Sequence, residues 1–429
     1  MIINKFIPHY NFTKYEQRIL FLGSMGALLE SYDFYIYMLF SGYFATQFFP
    51  NNNVLISLIY TYIIFFIGYI IRPIGAIFFS HIGDAHGRKL VMLITMVIMG
   101  ISSVGIAILP NYDHVGIYAS ILLLLLRMLQ GLSIGGEFPS IMVYLKETLP
   151  ANRLGTAIGM MISAGIFGVV FGIIINLILV HFLNLAQLES FGWRIPFLLG
   201  GGLCFISYQL RQKLHETNIF QKLQHKNKIP FFDLCSNHMK KVFIGIGLES
   251  IGAIAVTMAV FFMPVYLLKI VKLSPYTIGH SMVFAAITSA SAIYISGVIC
   301  DRVNMHKFLA YGVCGMVLSG ILCYYMIVTW HSVTIFVIIF AFFQGIVSTT
   351  PVIITRLFPT EVCLSGVAFS YNMSVMLFVG LTPLIIVKLI DFSQQLFLVP
   401  VIVLIVAGVI GLVSLYFSHQ YSETTKGNR

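Results

Sequence analysis

IGYIIRPIGAIFFSHIGDAHGRK, residues 67 to 89, carries an apolar helical run past Arg72-Pro73 into a short charged stretch with Gly83, Asp84, Gly87, Arg88 and Lys89. The chain turns apolar again from Leu90. This reads as two membrane spans joined by a tight charged turn. A degraded copy follows 217 positions later, where Gly297-Val-Ile-Cys-Asp301-Arg302 closes another apolar run and Lys307 opens the next. The spacing is half of a 429-residue chain, so two similar halves in tandem are expected.

Composition points the same way. Hydrophobic residues make up 59% of the chain and charged ones 9%, with a mean hydropathy of +0.94. A soluble globular domain has about 45–50% apolar and about 25% charged residues, so water is not the solvent for most of this surface. A bilayer core takes about 20 apolar residues per helical span. Twelve runs qualify, near 18–48, 55–80, 90–109, 115–144, 154–182, 193–210, 242–268, 276–299, 308–329, 332–357, 362–389 and 395–417. They are continuous rather than alternating in polarity, which excludes a β-barrel. The expected fold is therefore an all-α integral membrane protein of twelve transmembrane helices in two six-helix bundles. Residues 1–211 form the first bundle, 212–239 a polar connecting loop, and 240–429 the second bundle with a short tail.

The formal charge of +10 orients the chain rather than recruiting nucleic acid. Nineteen Lys and Arg residues fall on the side that holds both termini, and four (Arg194, Lys269, Lys272, Lys388) on the other. By the positive-inside rule both termini are expected in the cytoplasm. The first 17 residues are polar and the first span is too long for the apolar core of a cleavable signal peptide. Six cysteines show no CxxC spacing, so neither disulfide nor metal site is expected.

Charges inside spans select the candidate site. Glu30, Asp33 and Tyr37 lie three and four residues apart, and are expected to form one polar stripe on the first span. Glu30 lies about 18 Å along the helix from Arg18, at roughly 1.5 Å per residue, near mid-membrane. An ionised acid there costs about 2.5–3.5 kcal/mol and must be paired, hydrated or protonated. In the fourth span Arg127, Gln130 and Glu137 share a face, and a guanidinium that cannot lose its proton calls for an anion. Glu30, Asp33 or a substrate carboxylate is the expected partner. Asn176, Tyr371 and Asn372 are candidate pocket residues. Arg72 is expected to snorkel to the basic side, Glu249 to reach water there, and residues 210–224 to form an amphipathic surface helix.

At these residues the chain resembles the major facilitator superfamily and, within it, the metabolite:proton symporters. The motifs are ESYDF (Glu30–Phe34), RPIG (Arg72–Gly75), GDAHGRK (Gly83–Lys89), RMLQGLSIGGE (Arg127–Glu137), GWRIPFL (Gly192–Leu198) and LFPTEVCLSG (Leu357–Gly366). Ser31, Phe138-Pro139, Asn218 and Cys363 depart from that pattern. The resemblance implies a multi-pass protein of the bacterial inner membrane, monomeric, without cofactor and driven by the proton gradient. It would import a small carboxylate or zwitterion, with Glu30, Asp33 and Arg127 coupling protons and Tyr37, Gln130 and Glu137 lining the solute site. It also implies a latch in which Asp84, beside Gly83, faces the start of span eleven at Thr360 or Glu361, while Arg88 pairs with Glu147. An exporter or antiporter is the alternative, although span five has Gly165-Ile-Phe-Gly168 in place of an antiporter's Gly-Pro pair. A transporter-like nutrient sensor is a more distant one.

Overall fold

The computed structural model describes residues 12–51, 53–222, 230–330 and 333–427. Residues 1–11 of the polar N-terminal stretch lie outside these residues. Among the described residues the regular structure is helical throughout. Six long helices precede the connecting segment: α1 (Lys14–Phe48), α2 (Val54–His86), α3 (Arg88–Ile108), α4 (Ile117–Thr148), α5 (Leu154–Phe182) and α6 (Arg194–Gln212). Six helical stretches follow it. They are α7 (from Met239–Val256 on to Ile270), α8 (Pro275–Cys300), α9 (Met305–Trp330), α10 (Thr334–Val347, resumed at Pro351–Leu357), α11 (from Cys363–Ser374 on to Ser393) and α12 (Leu398–Gly427).

Ten of the twelve are long and apolar enough to cross a membrane by length and composition. The other two, α1 and α6, carry polar residues that the neighbouring helices cover: Glu30, Asp33 and Arg211 are all buried. Burial inside the bundle removes these groups from lipid, the condition on which a charged residue is tolerated at membrane depth.

Packing repeats between the halves. In the first, α1 packs on α5, α2 on α4, and α3 on α4 and α6. In the second, α7 packs on α11, α8 on α10, and α9 on α10 and α12. The halves meet along two related seams, α5 with α8 and α2 with α11. At the first seam Gly155 and Gly297 touch backbone to backbone, and a Cβ on either would strike the other's carbonyl group. Gly297→Val therefore opposes closure by about 1–3 kcal/mol of overpacking. We expect it to lengthen the distance between spin labels at positions 213 and 307, read by double electron–electron resonance.

The charged turn is shorter than the sequence implies. Helix α2 continues through Pro73 to His86, so Gly83 and Asp84 sit on its last turn, and Gly87 alone reverses the chain at φ +119°. That angle suits glycine, which has no Cβ to clash. The surface helix expected over residues 210–224 is not continuous. After α6 the chain is irregular until Thr217 caps a four-residue helix, Asn218–Gln221, and residues 223 and 224 lie outside the described set.

Candidate functional site

Between the halves lies a cavity of about 170 Å³. Its charged lining consists of Glu30 (α1), Arg72 (α2) and Glu249 (α7), with the Tyr69 and Tyr371 rings beside them. It continues past Phe34 (α1), Val256 and Phe261 (α7) and Val379 (α11), all farther along helices that start at the basic face, and past Phe65 of α2, which runs the other way. Both second-half helices here contain π-helical turns, Thr257–Phe262 in α7 and Val375–Gly380 in α11. Such turns shift side-chain direction and recur at functional sites.

The stripe expected on α1 divides. Three residues advance a helix by 300°, so Glu30 and Asp33 point about 60° apart, enough to face different neighbours. Glu30, 6% exposed, faces the cavity, and its Oε2 has no hydrogen-bond partner among the described residues. Asp33, 1% exposed, turns into the first bundle. It accepts from Ser103 Oγ and from Gln130 Nε2, the latter at 2.5 Å. Arg127 donates to Gln130 Oε1 at 2.7 Å, so it reaches Asp33 through an amide rather than as a direct ion pair. Its guanidinium lies 4.1 Å from the Tyr37 ring and 4.6 Å from the Phe34 ring, while Nε and Nη2 have no hydrogen-bond partner among the described residues. The expected direct contact of Arg127 with a first-helix acid is thereby corrected.

Arg72 is the arginine of the cavity. It is 7% exposed, and its guanidinium lies 4.6 Å from both the Phe34 and Tyr69 rings. It does not snorkel, because α2 continues for fourteen residues beyond it, to His86. Phe34 is shared by Arg72 and Arg127, and so stands between the cavity and the enclosed Asp33 network. A cation over an aromatic face gains about 0.5–2 kcal/mol, more where water is excluded.

The other sequence-selected residues are placed as follows. Tyr371 lines the cavity and stacks on Phe138 with ring centroids 5.1 Å apart. Asn372 points the other way, donating to Gly135 O across the halves at 2.9 Å. Tyr37 donates to Thr61 O at 3.2 Å, outside the cavity wall. Asn176 is partly buried on α5, also outside that wall. Glu137 does not continue the Arg127 face. It is ion-paired with Arg211 of α6 and accepts from Thr95, all three being buried. Sequence reading ended the sixth span at residue 210 and counted Arg211 with the amphipathic surface stretch that follows. The uninterrupted helix-forming run to Leu214 was the signal that could have retained it in the span.

At the basic face two carboxylates clasp helix N-termini across the seams. Asp84 accepts from Leu364 N at 3.2 Å, Ser365 N at 2.9 Å and Ser365 Oγ at 2.7 Å. A 3-10 turn at Thr360–Val362 displaces the helix start to Cys363, so the expected contact at Thr360 or Glu361 falls on Leu364 and Ser365, and Glu361 is exposed. Arg88 bonds Glu147 at 3.0 Å, Asp84 at 3.2 Å and Thr360 O at 3.1 Å, and Gly83 packs on Leu364. The degraded copy performs the related task. Asp301 accepts from Gly155 N, Thr156 N and Thr156 Oγ1, each at 2.7 Å. Burial raises the Asp301 carboxyl above the usual aspartate range, opposed by those bonds. Its charged form thus depends on the three donors and the helix dipole. Asp301→Asn, which keeps the shape and removes the charge, should raise the open fraction of this face in the same spin-label measurement.

An apolar helical bundle with a cavity at the junction of two repeated halves that carries two acids and an arginine, clasped on one side, defines a membrane carrier of small molecules. The Major Facilitator Superfamily family profile matches residues 23–362, and the chain belongs to that family. It is similar to the proline/betaine transporter of Escherichia coli K12, with 28% identity over 91% of this chain and 81% of that protein. The glycine betaine/proline/ectoine/pipecolic acid transporter OusA of Dickeya dadantii is also 28% identical, over 94% of this chain and 84% of its own. A Staphylococcus haemolyticus relative assigned to proline/betaine transport is 31% identical over 94% of this chain and 87% of its own. Among solved structures, the proton:xylose symporter XylE bound to 6-bromo-6-deoxy-D-glucose superposes with a TM-score of 0.76 at 15% identity, covering 95% of both chains. At that identity the likeness is one of fold.

Proposed function

We propose that this protein is a proton-coupled symporter that imports a small carboxylate or zwitterionic metabolite across a bacterial inner membrane, its basic face in the cytoplasm. The observation that carries the reading is Glu30: a carboxyl buried at mid-helix, lining the cavity, with one oxygen unpartnered among the described residues. Such a group is stable in the low-dielectric interior when protonated or when a solute cation sits beside it, so proton and solute can be linked at one place. Arg72 supplies the positive charge for a solute carboxylate. The enclosed Asp33–Gln130–Arg127 network, joined to the cavity through Phe34, is the element whose charge balance would follow the occupancy of the site.

Proline, glycine betaine, ectoine and pipecolic acid, named for the relatives, are the first solutes to test. By the positive-inside rule the clasped basic face is the cytoplasmic one, and uptake by vesicles of known orientation gives the direction of transport. Proteoliposomes with an imposed inward proton gradient should accumulate one of these solutes. Accumulation confined to inverted vesicles would establish the export reading instead.

A further inference from the structure

The second half brings an acid to the cavity that the family motifs do not include. Glu249 stands on α7 as Glu30 stands on α1, 219 positions earlier, in the repeat that also relates Asp84 to Asp301. It does not reach water at the basic side: it is 6% exposed and lines the cavity. Its hydrogen bond comes from Thr350 Oγ1 to Oε2, and at 3.4 Å it is long. With Glu30 and Arg72, Glu249 completes the charged lining among the described residues: two acids and one base. The surrounding walls are largely apolar, with seven aromatic side chains interleaved among aliphatic ones, including Phe34, Phe138, Phe261 and Tyr371.

We propose that Glu249 is the cation anchor of the solute site, so that the protein takes solutes carrying an ammonium group and rejects purely anionic ones. This rests on the transport reading above and narrows it. A buried carboxylate without a full set of donors stays ionised only beside a positive partner, and Arg72, the one arginine of the cavity among the described residues, is already held over Phe34 and Tyr69. An ammonium group meets both needs here, since ring faces attract cations and Glu249 completes the charge. The solute carboxylate then turns to Arg72. The solute spans the halves, with its anionic end on α2 and its cationic end on α7, and occupancy draws the two bundles together. A dicarboxylate would set a second negative group against Glu30 and Glu249.

Equilibrium binding to the purified full-length protein tests this without a proton gradient, using labelled glycine betaine, proline and succinate. The wild-type protein is expected to bind at least one of the two zwitterions and not succinate. Glu249→Gln is expected to weaken zwitterion binding at least about ten-fold, as for loss of one partner of a buried charge pair, with partial recovery in Glu249→Asp. Preferential binding of succinate by the wild-type protein would overturn the proposal, and so would unchanged zwitterion affinity in Glu249→Gln. Should Glu249→Gln keep its affinity and lose only gradient-driven accumulation, Glu249 carries a proton and the anchor role is refuted. Charge-selective binding without gradient-driven uptake would instead sustain the anchor and defeat the symport reading. The wild-type comparison needs no variant, so a poorly folding mutant leaves the test intact.

Discussion

Glu30→Gln is expected to abolish proton-driven accumulation, by about a hundred-fold or more, while solute counterflow between equal concentrations persists. The amide copies the shape of the protonated acid and cannot release a proton, so the binding form is retained and the coupled return is lost. A loss of that size corresponds to a coupling free energy of about 3 kcal/mol, within the usual range for linked sites. Counterflow needs no net proton movement, which makes it the internal control for folding. Wild-type accumulation by Glu30→Gln would remove Glu30 from the coupling scheme, and loss of counterflow as well would make it a binding residue alone.

The second large effect is structural. Arg211→Met leaves Glu137 buried without its cation, and breaking such a pair costs about 3–5 kcal/mol. Detergent-solubilised Arg211→Met is expected to unfold at a markedly lower temperature than the parent protein, or to fail to accumulate in the membrane. Combining Glu137→Gln with Arg211→Met removes both charges, and should recover most of the loss, because the methionine stem fills the space and the amide can still meet Thr95. An equal deficit in the single and double variants would show that Arg211 matters through its bonds to Met92 O and Leu22 O instead.

These two residues mark where sequence reading succeeded and where it stopped. Apolar run length and the placement of Lys and Arg identify the helices without any contact information, since lipid imposes both constraints on one segment at a time. The repeat of Asp84 at Asp301 was equally legible, being a matter of spacing. The site was harder, because it depends on which way a side chain turns. Glu30 and Asp33 satisfy the same three-residue spacing yet face different compartments, and only the positions of α3, α4 and α6 decide which. Arg72 and Glu249 were judged by distance along the helix to water. Both estimates missed that the basic face is covered, by the clasps at Asp84 and Asp301 and by the short helix Pro230–Asn237 packed on α2 and α11. Arg127 attracted attention as a lone buried cation. Two aromatic rings and Gln130 occupy it, a solution that a search for opposite charge does not anticipate.

The clasps have an evolutionary corollary. Asp84 and Asp301 hold main-chain amides at residues 364, 365, 155 and 156, a donor that nineteen of the twenty amino acids provide. The receiving helix ends can thus drift in sequence and keep the amide part of each clasp, while the hydroxyl donors at Ser365 and Thr156 and the steric demand at residue 155 restrict what else is accepted there. Proline is the exception at those positions, and a descendant lineage that acquired one there would be expected to lose closure on that seam while its counterpart still held.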